Sequence, residues 1–141
     1  MAYASIHGNT AKAAKKLKEI LEVKGAKKVA ITDLSRDDMA EAIEDAFRYD
    51  KMVLAAATYD GGIFPCMEDF LHHLKSKTYR KRTVALMENG SWAPVAAKSM
   101  RTLLEQMKDI TICEKVVTMK SAMKEATIAD MEALADELLA K

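Results

Sequence analysis

A chain of 141 residues, 50% apolar and 30% charged, is long enough to bury a core and short enough that a single domain over 1–141 is expected. Its 22 Lys and Arg nearly balance 21 Asp and Glu, and a net charge of +1 offers no general basis for binding nucleic acid or a membrane surface. No apolar run approaches the roughly 18 residues of a membrane span, the start lacks the features of a signal peptide, and Cys66 and Cys113 are too isolated for a disulfide framework or a zinc site, so a reducing cytoplasm is the expected compartment.

Short apolar runs alternate with helical stripes along the whole chain. Residues 2–6 read as a first strand, and a helix follows from about Thr10, with Ala14, Leu17 and Leu21 on one face and Gly25 as its stop. Residues 28–32 read as the second strand. Ser35 and Asp38 have the spacing of a capping box ahead of Met39, Ile43, Ala46 and Phe47. Residues 51–57 form a third strand, almost wholly apolar. Pro65 suits a first helical turn, and Met67, Phe70, Leu71 and Leu74 make the buried stripe behind it. Residues 83–87 are the fourth strand. Pro94 opens a helix with Ala96, Met100, Leu103, Leu104 and Met107 inward. Residues 112–119 supply the fifth strand, and Ile128, Met131, Ala135 and Leu138 mark a last helix. Five strands alternating with five helices, the middle strands apolar on both faces, predict a parallel sheet in a three-layer α/β/α sandwich. The first strand is short for its kind, which leads to the expectation that it begins upstream and that the chain is a piece of a longer polypeptide.

In open parallel sheets ligands bind beyond the carboxyl ends of the strands, where strand order reverses. The loops after strands one, three and four are the unusual ones. Ser5-Ile-His-Gly-Asn-Thr10 surrounds a helix N-terminus with two hydroxyls, an amide and a glycine, a setting that suits an anion. The lysine of a nucleotide-triphosphate loop is missing. Thr58-Tyr-Asp-Gly-Gly-Ile-Phe-Pro65 pairs an aromatic ring with two glycines that permit unusual backbone angles. Glu88-Asn-Gly-Ser-Trp-Ala-Pro94 carries the chain's single tryptophan at a loop tip. Taken singly, the first loop is also an ordinary capped helix and the second a plain turn. Together and in order, they describe a phosphate cradle and two aromatic flanks around a planar ring.

The first of these stretches resembles the phosphate loop of flavodoxins, whose pattern is hydroxyl-x-x-Gly-Asn-Thr. Tyr3 to Thr10, Asp33-Leu-Ser35, Ala57 to Pro65 and Glu88 to Trp92 are similar to the C-terminal flavodoxin module of flavo-diiron proteins, also called A-type flavoproteins, which reduce oxygen or nitric oxide. The resemblance implies a flavodoxin-like sandwich with a five-stranded parallel sheet in the order 2-1-3-4-5, and FMN as cofactor. It implies that Ser5, His7, Gly8, Asn9 and Thr10 hold the phosphate, with a backbone N–H from Ile6. Thr58, Tyr59, Asp60, Gly61 and Gly62 would line one side of the isoalloxazine, and Asn89, Gly90, Ser91 and Trp92 the other. A peptide in the Gly61–Gly62 region would turn its carbonyl toward flavin N5 on one-electron reduction. Asp60 and Glu88, near the ring, would oppose an anionic reduced flavin.

The expected role is electron carrier by itself and oxidoreductase component within a flavo-diiron protein. There it would pass electrons from a donor of rubredoxin or flavin reductase type to a diiron domain, across a head-to-tail homodimer. The chain lacks the His/Asp/Glu cluster of the diiron domain. Of its three histidines, His72 and His73 are adjacent on a helix and point about 100° apart, which rules out an i,i+4 metal pair. Cys66, beside Pro65 at a helix start, reads as a packing residue. The rival readings are a stand-alone flavodoxin, a small FMN-dependent reductase, a truncation with poor FMN affinity, and a cofactor-free regulatory module such as a receiver. The last needs acids where Ser5 to Thr10 and Ala57-Thr58 stand.

Overall fold

In the computed structural model the two most apolar strands, β3 (Lys51–Tyr59) and β5 (Arg82–Asn89), lie side by side, parallel and in unbroken register from Lys51 opposite Thr83 to Ala57 opposite Asn89. The structure describes residues 1–5, 8–59, 62–90, 95–120 and 122–140, and of Tyr59 the backbone. β1 (Ala2–Ala4) pairs with β3 on one side and β2 (Thr32–Asp33) on the other, and β6 (Ile110–Met119) follows β5. The order β2-β1-β3-β5-β6 is the anticipated 2-1-3-4-5 arrangement of five parallel strands. A sixth, unanticipated strand is β4 (Gly62–Ile63), antiparallel to the end of β3 through Thr58 opposite Ile63 and Tyr59 opposite Gly62. Two residues are too few to show a period in the sequence.

Side chains alternate across a strand, so each strand feeds two cores. Met52, Leu54, Ala56, Val84 and Leu86 pack against Met67, Phe70, Leu71 and Leu74 of α3 (Pro65–Ser76), together with α2 (Met39–Arg48) and α4 (Ala96–Glu105). Val53, Ala55, Ala85 and Met87 face the other way, onto Ala13, Ala14, Leu17 and Leu21 of α1 (Asn9–Val23) and Met131, Leu134, Ala135 and Leu138 of α5 (Glu125–Ala140). α1 stops where expected. Gly25, at φ +108°, reverses the chain, and Ala26 N–H reaches back to Leu21 O at 2.9 Å.

Several boundaries differ from the sequence reading. β2 has two residues where 28–32 were expected. The pairing begins with Ala2 opposite Thr32, and among the described residues no strand pairs with residues 28–31. In that gap the Met1 ammonium donates to Ala30 O at 2.6 Å, and burial lowers its pKa to about 6. β1 ends at Ala4, short of the expected residue 6. The capping box at Ser35 does not form. Ser35 Oγ donates to Asp33 Oδ1 at 2.6 Å, and Asp38 caps α2 by accepting from Ala40 N–H at 3.0 Å. α4 begins at Ala96, and the expected start at Pro94 lies outside the described residues. Opposite Val84–Leu86 the register of β6 slips, and Glu137 of α5 accepts from Glu114 N–H at 2.7 Å and Lys115 N–H at 2.9 Å. Among the described residues no helix is long and apolar enough to cross a membrane, and no three potential metal ligands cluster.

Candidate functional site at the carboxyl rim

The register places the three loops in one line. Ala4, Ala56, Glu88 and Thr118 sit side by side across four parallel strands, and Asn89 stands beside Ala57 in the next row. β1 is the switch point: its own crossover runs out to β2, while β3 lies on its other side. The connections that leave β1, β3 and β5 at this rim therefore meet at the crevice the topology creates.

After β1 the chain turns tightly. Ser5 Oγ accepts from Gly8 N–H at 3.0 Å, and Gly8, at φ +85°, is the residue from which α1 starts. A left-handed N-cap of this kind suits glycine. Beyond its chain neighbours, no atom of the described residues lies within 4 Å of where a Cβ on Gly8 would stand, so the backbone there is open to approach. α1 has no side-chain cap and no acid in its first turn, and Thr10 is buried within that turn. Among the described residues no side chain caps its leading N–H groups, and its positive dipole end suits an external acceptor.

α4 is the opposite case. Thr58 Oγ1 accepts from Val95 N–H at 3.0 Å and Ala96 N–H at 3.3 Å, and Glu88 Oε1 accepts from Ala97 N–H at 3.0 Å. Glu88 Oε2 accepts from the Thr118 hydroxyl at 2.7 Å. Glu88 is 8% exposed and lies on the face of β5 that carries Val84 and Leu86. The expectation that it stands beside a ring is corrected: period-two alternation sends its carboxylate into the α4 layer. Asn89 is buried on the rim, and Gly90 N–H donates to Met119 O at 3.0 Å, extending the β5–β6 ladder. Gly62 is half-buried in β4. Ile6, His7, Asp60, Gly61, Ser91 and Trp92 lie outside the described residues, and so does the side chain of Tyr59. Thr118 was not anticipated at all; a threonine in a strand carries no signal of its own.

The model of the family described as "Flavodoxin domain" matches residues 1–114. The chain belongs to the flavodoxin family. No curated protein matches it. Among solved structures it is similar to rubredoxin oxygen:oxidoreductase from Desulfovibrio gigas, at 17% identity and a TM-score of 0.90, covering 97% of this chain and 34% of that one. It is also similar to a flavo di-iron protein variant from Thermotoga maritima (22%, TM-score 0.82, 99% of this chain and 34% of that one). Flavodoxin 1 from Bacillus cereus aligns at 17% identity and a TM-score of 0.79, covering 99% and 95%. At these identities the likeness is one of fold. The chain spans about a third of the first and second of these proteins and nearly all of the third.

FMN is the cofactor of flavodoxin domains, and the rim fits it. A phosphate needs several N–H donors and no competing acid, and α1 offers that arrangement where α4 does not. Ser5, Gly8, Asn9 and Thr10 are the described residues that would hold the phosphate; Gly62, Asn89 and Gly90 would flank the ring, as would the backbone of Thr58, whose hydroxyl is taken by α4. Cys66, at the start of α3, is a half-buried free thiol. Burial pushes its pKa up, outweighing the two backbone N–H groups that favour the thiolate. His72 faces Glu68 at 3.5 Å on the exposed side of α3.

Proposed function

We propose that this flavodoxin domain holds FMN non-covalently at the carboxyl rim and relays electrons through it to a diiron site that reduces oxygen or nitric oxide. The observation that carries the binding half is the contrast between the two helix N-termini: α4 is closed by Thr58 and Glu88, whereas α1, behind Ser5 and Gly8, is open. Bound FMN supplies the redox chemistry. The protein supplies position, with the phosphate at α1 and the ring between the loops after β3 and β5. The electron donor is of rubredoxin or flavin reductase type, and the working assembly is a head-to-tail homodimer that sets one protomer's flavin against the diiron domain of the other. The resemblance of the three loops to flavo-diiron modules supports this half.

The first test is the absorption spectrum of freshly purified protein. Yellow protein that releases FMN on heating is expected, and folded, colourless protein that leaves added flavin fluorescence unquenched would overturn the reading. The second test mixes the reduced chain with a separately produced diiron domain under anaerobic conditions. Reoxidation of the flavin by the metal domain supports the relay. A stand-alone carrier is the second reading, favoured by the alignment over 95% of the Bacillus cereus flavodoxin; it predicts reoxidation by diverse one-electron acceptors and none by the diiron domain.

A further inference from the structure

Among the described residues, Glu88 and Thr58 accept the N–H groups of Val95, Ala96 and Ala97 at the entrance to α4, and they do so from two different strands. Thr58, near the end of β3, accepts from Val95 and Ala96; Glu88, near the end of β5, accepts from Ala97 and is itself held by the Thr118 hydroxyl of β6. The other side of the loop is fixed by Gly90, whose N–H donates to Met119 O. The loop after β5 is thus anchored at both ends, and its downstream anchor depends on two side chains with no requirement to touch a ligand.

We propose that Glu88 and Thr58 are positioning residues that set the loop after β5 for FMN by clasping the start of α4 to β3, β5 and β6. The inference rests on the reading that this rim binds FMN. A helix N-terminus can be satisfied by water or by its own N-cap side chain. Here a carboxylate that is 8% exposed and a strand threonine perform that task from the sheet. Burying a carboxylate is costly unless both oxygens are satisfied, and both are, by Ala97 and by Thr118. Because the clasp crosses from sheet to helix layer, shifting it moves the end of the loop, whereas an ordinary cap would only fray the helix.

The experiment compares Thr58→Ser, Thr58→Val, Glu88→Gln and Glu88→Ala. The readouts are the FMN dissociation constant from flavin fluorescence quenching and the emission maximum of the single tryptophan, Trp92, without FMN. Glu137→Ala serves as control, since it also strips a carboxylate from two N–H groups, but in the middle of β6 away from the rim. Thr58→Ser and Glu88→Gln keep an acceptor in place and are expected to bind FMN within threefold of the parent. Thr58→Val is expected to weaken FMN at least tenfold and shift the Trp92 emission, and Glu88→Ala to do the same where it folds; Glu137→Ala is expected to leave both readouts unchanged. Parent-like FMN affinity and emission in Thr58→Val would overturn the clasp, as would an equal loss in Glu137→Ala. Failure of the parent itself to bind FMN would instead overturn the proposed function.

Discussion

At the scale of single residues, two positions show how conformation and burial can be separated from contact. Gly8 adopts φ +85° and, beyond its chain neighbours, none of the described residues comes within 4 Å of a Cβ added there. The cost of Gly8→Ala is therefore conformational alone, about 1–2 kcal/mol for an L-residue held in the left-handed region. Gly8→Asn should lose less, because asparagine tolerates that region better. Urea midpoints of the two variants check this, and a parent-like midpoint for the alanine variant would contradict the backbone assignment. Tyr79 illustrates burial. Its ring is 1% exposed, meets Phe47 edge-on at 5.3 Å between centroids and lies 5.3 Å from the Arg82 guanidinium, while its hydroxyl reaches Met52 Sδ at 4.0 Å. Desolvation raises the phenol pKa well above its ordinary value of 10.0, against the opposing pull of Arg82. A raised folded-state pKa means the stabilisation is intact below pH 10 and is lost as pH climbs beyond it, because the unfolded phenol ionises first. Tyr79→Phe should cost under about 1 kcal/mol at pH 7, since the sulfur contact is weak. It should also unfold less readily than the parent, relative to pH 7, when urea titrations are repeated at pH 10.5.

The elements show where local pattern suffices and where it does not. β3 and β5 are legible because Met52, Leu54 and Ala56 alternate with Val53 and Ala55 onto two separate cores, and a strand with two apolar faces needs no partner to be recognised. The stripes of α1 and α3 are legible for the corresponding reason at period 3.6. Residues 28–31 are apolar enough for a strand, but strand formation needs a neighbour, and β1 first meets β2 at Ala2 and Thr32. Asp38 and Ser35 both suit a cap, and the choice between them lies in the turn that Asp33 organises with Ser35 and Asp37. At the rim, the placement of the three loops was readable from topology, whereas the roles of Glu88, Thr58 and Thr118 depend on register across four strands. The slip in β6 is equally hidden, and it carries its own prediction. Glu137 accepts two backbone N–H groups at 2.7 and 2.9 Å where the ladder is interrupted. Glu137→Ala leaves both without a side-chain acceptor and should lower stability by about 1–3 kcal/mol. Amide exchange at Glu114 and Lys115 should accelerate while β3 remains protected.

For the whole molecule, the rim is where three separate crossovers meet, and a ligand there links segments far apart in sequence: Ser5 to Thr10, Thr58 to Gly62, and Asn89 to Gly90. The two cores lie on opposite faces of one sheet and share β3 and β5, so unfolding either face exposes the back of the other. A single cooperative transition follows, and FMN bound at the proposed rim site should raise it by mass action. At a concentration 100 times its dissociation constant the gain is about 2.7 kcal/mol. For a chain of this size that is a rise in Tm of roughly 8 °C, at about 3 °C per kcal/mol. Riboflavin separates the parts of the site, since it carries the ring and lacks the phosphate. Charge-assisted hydrogen bonds at the open end of α1 are worth about 1.5–3 kcal/mol each, so losing even one or two of them weakens binding on the order of a hundredfold. At the same concentration riboflavin should then shift the transition by roughly 1 °C. Equal shifts from the two ligands would place the anchoring in the ring alone and remove α1, Ser5 and Gly8 from the binding account. A small riboflavin shift beside a large FMN shift, both in one sharp transition, is the result that the open helix end and the shared sheet require.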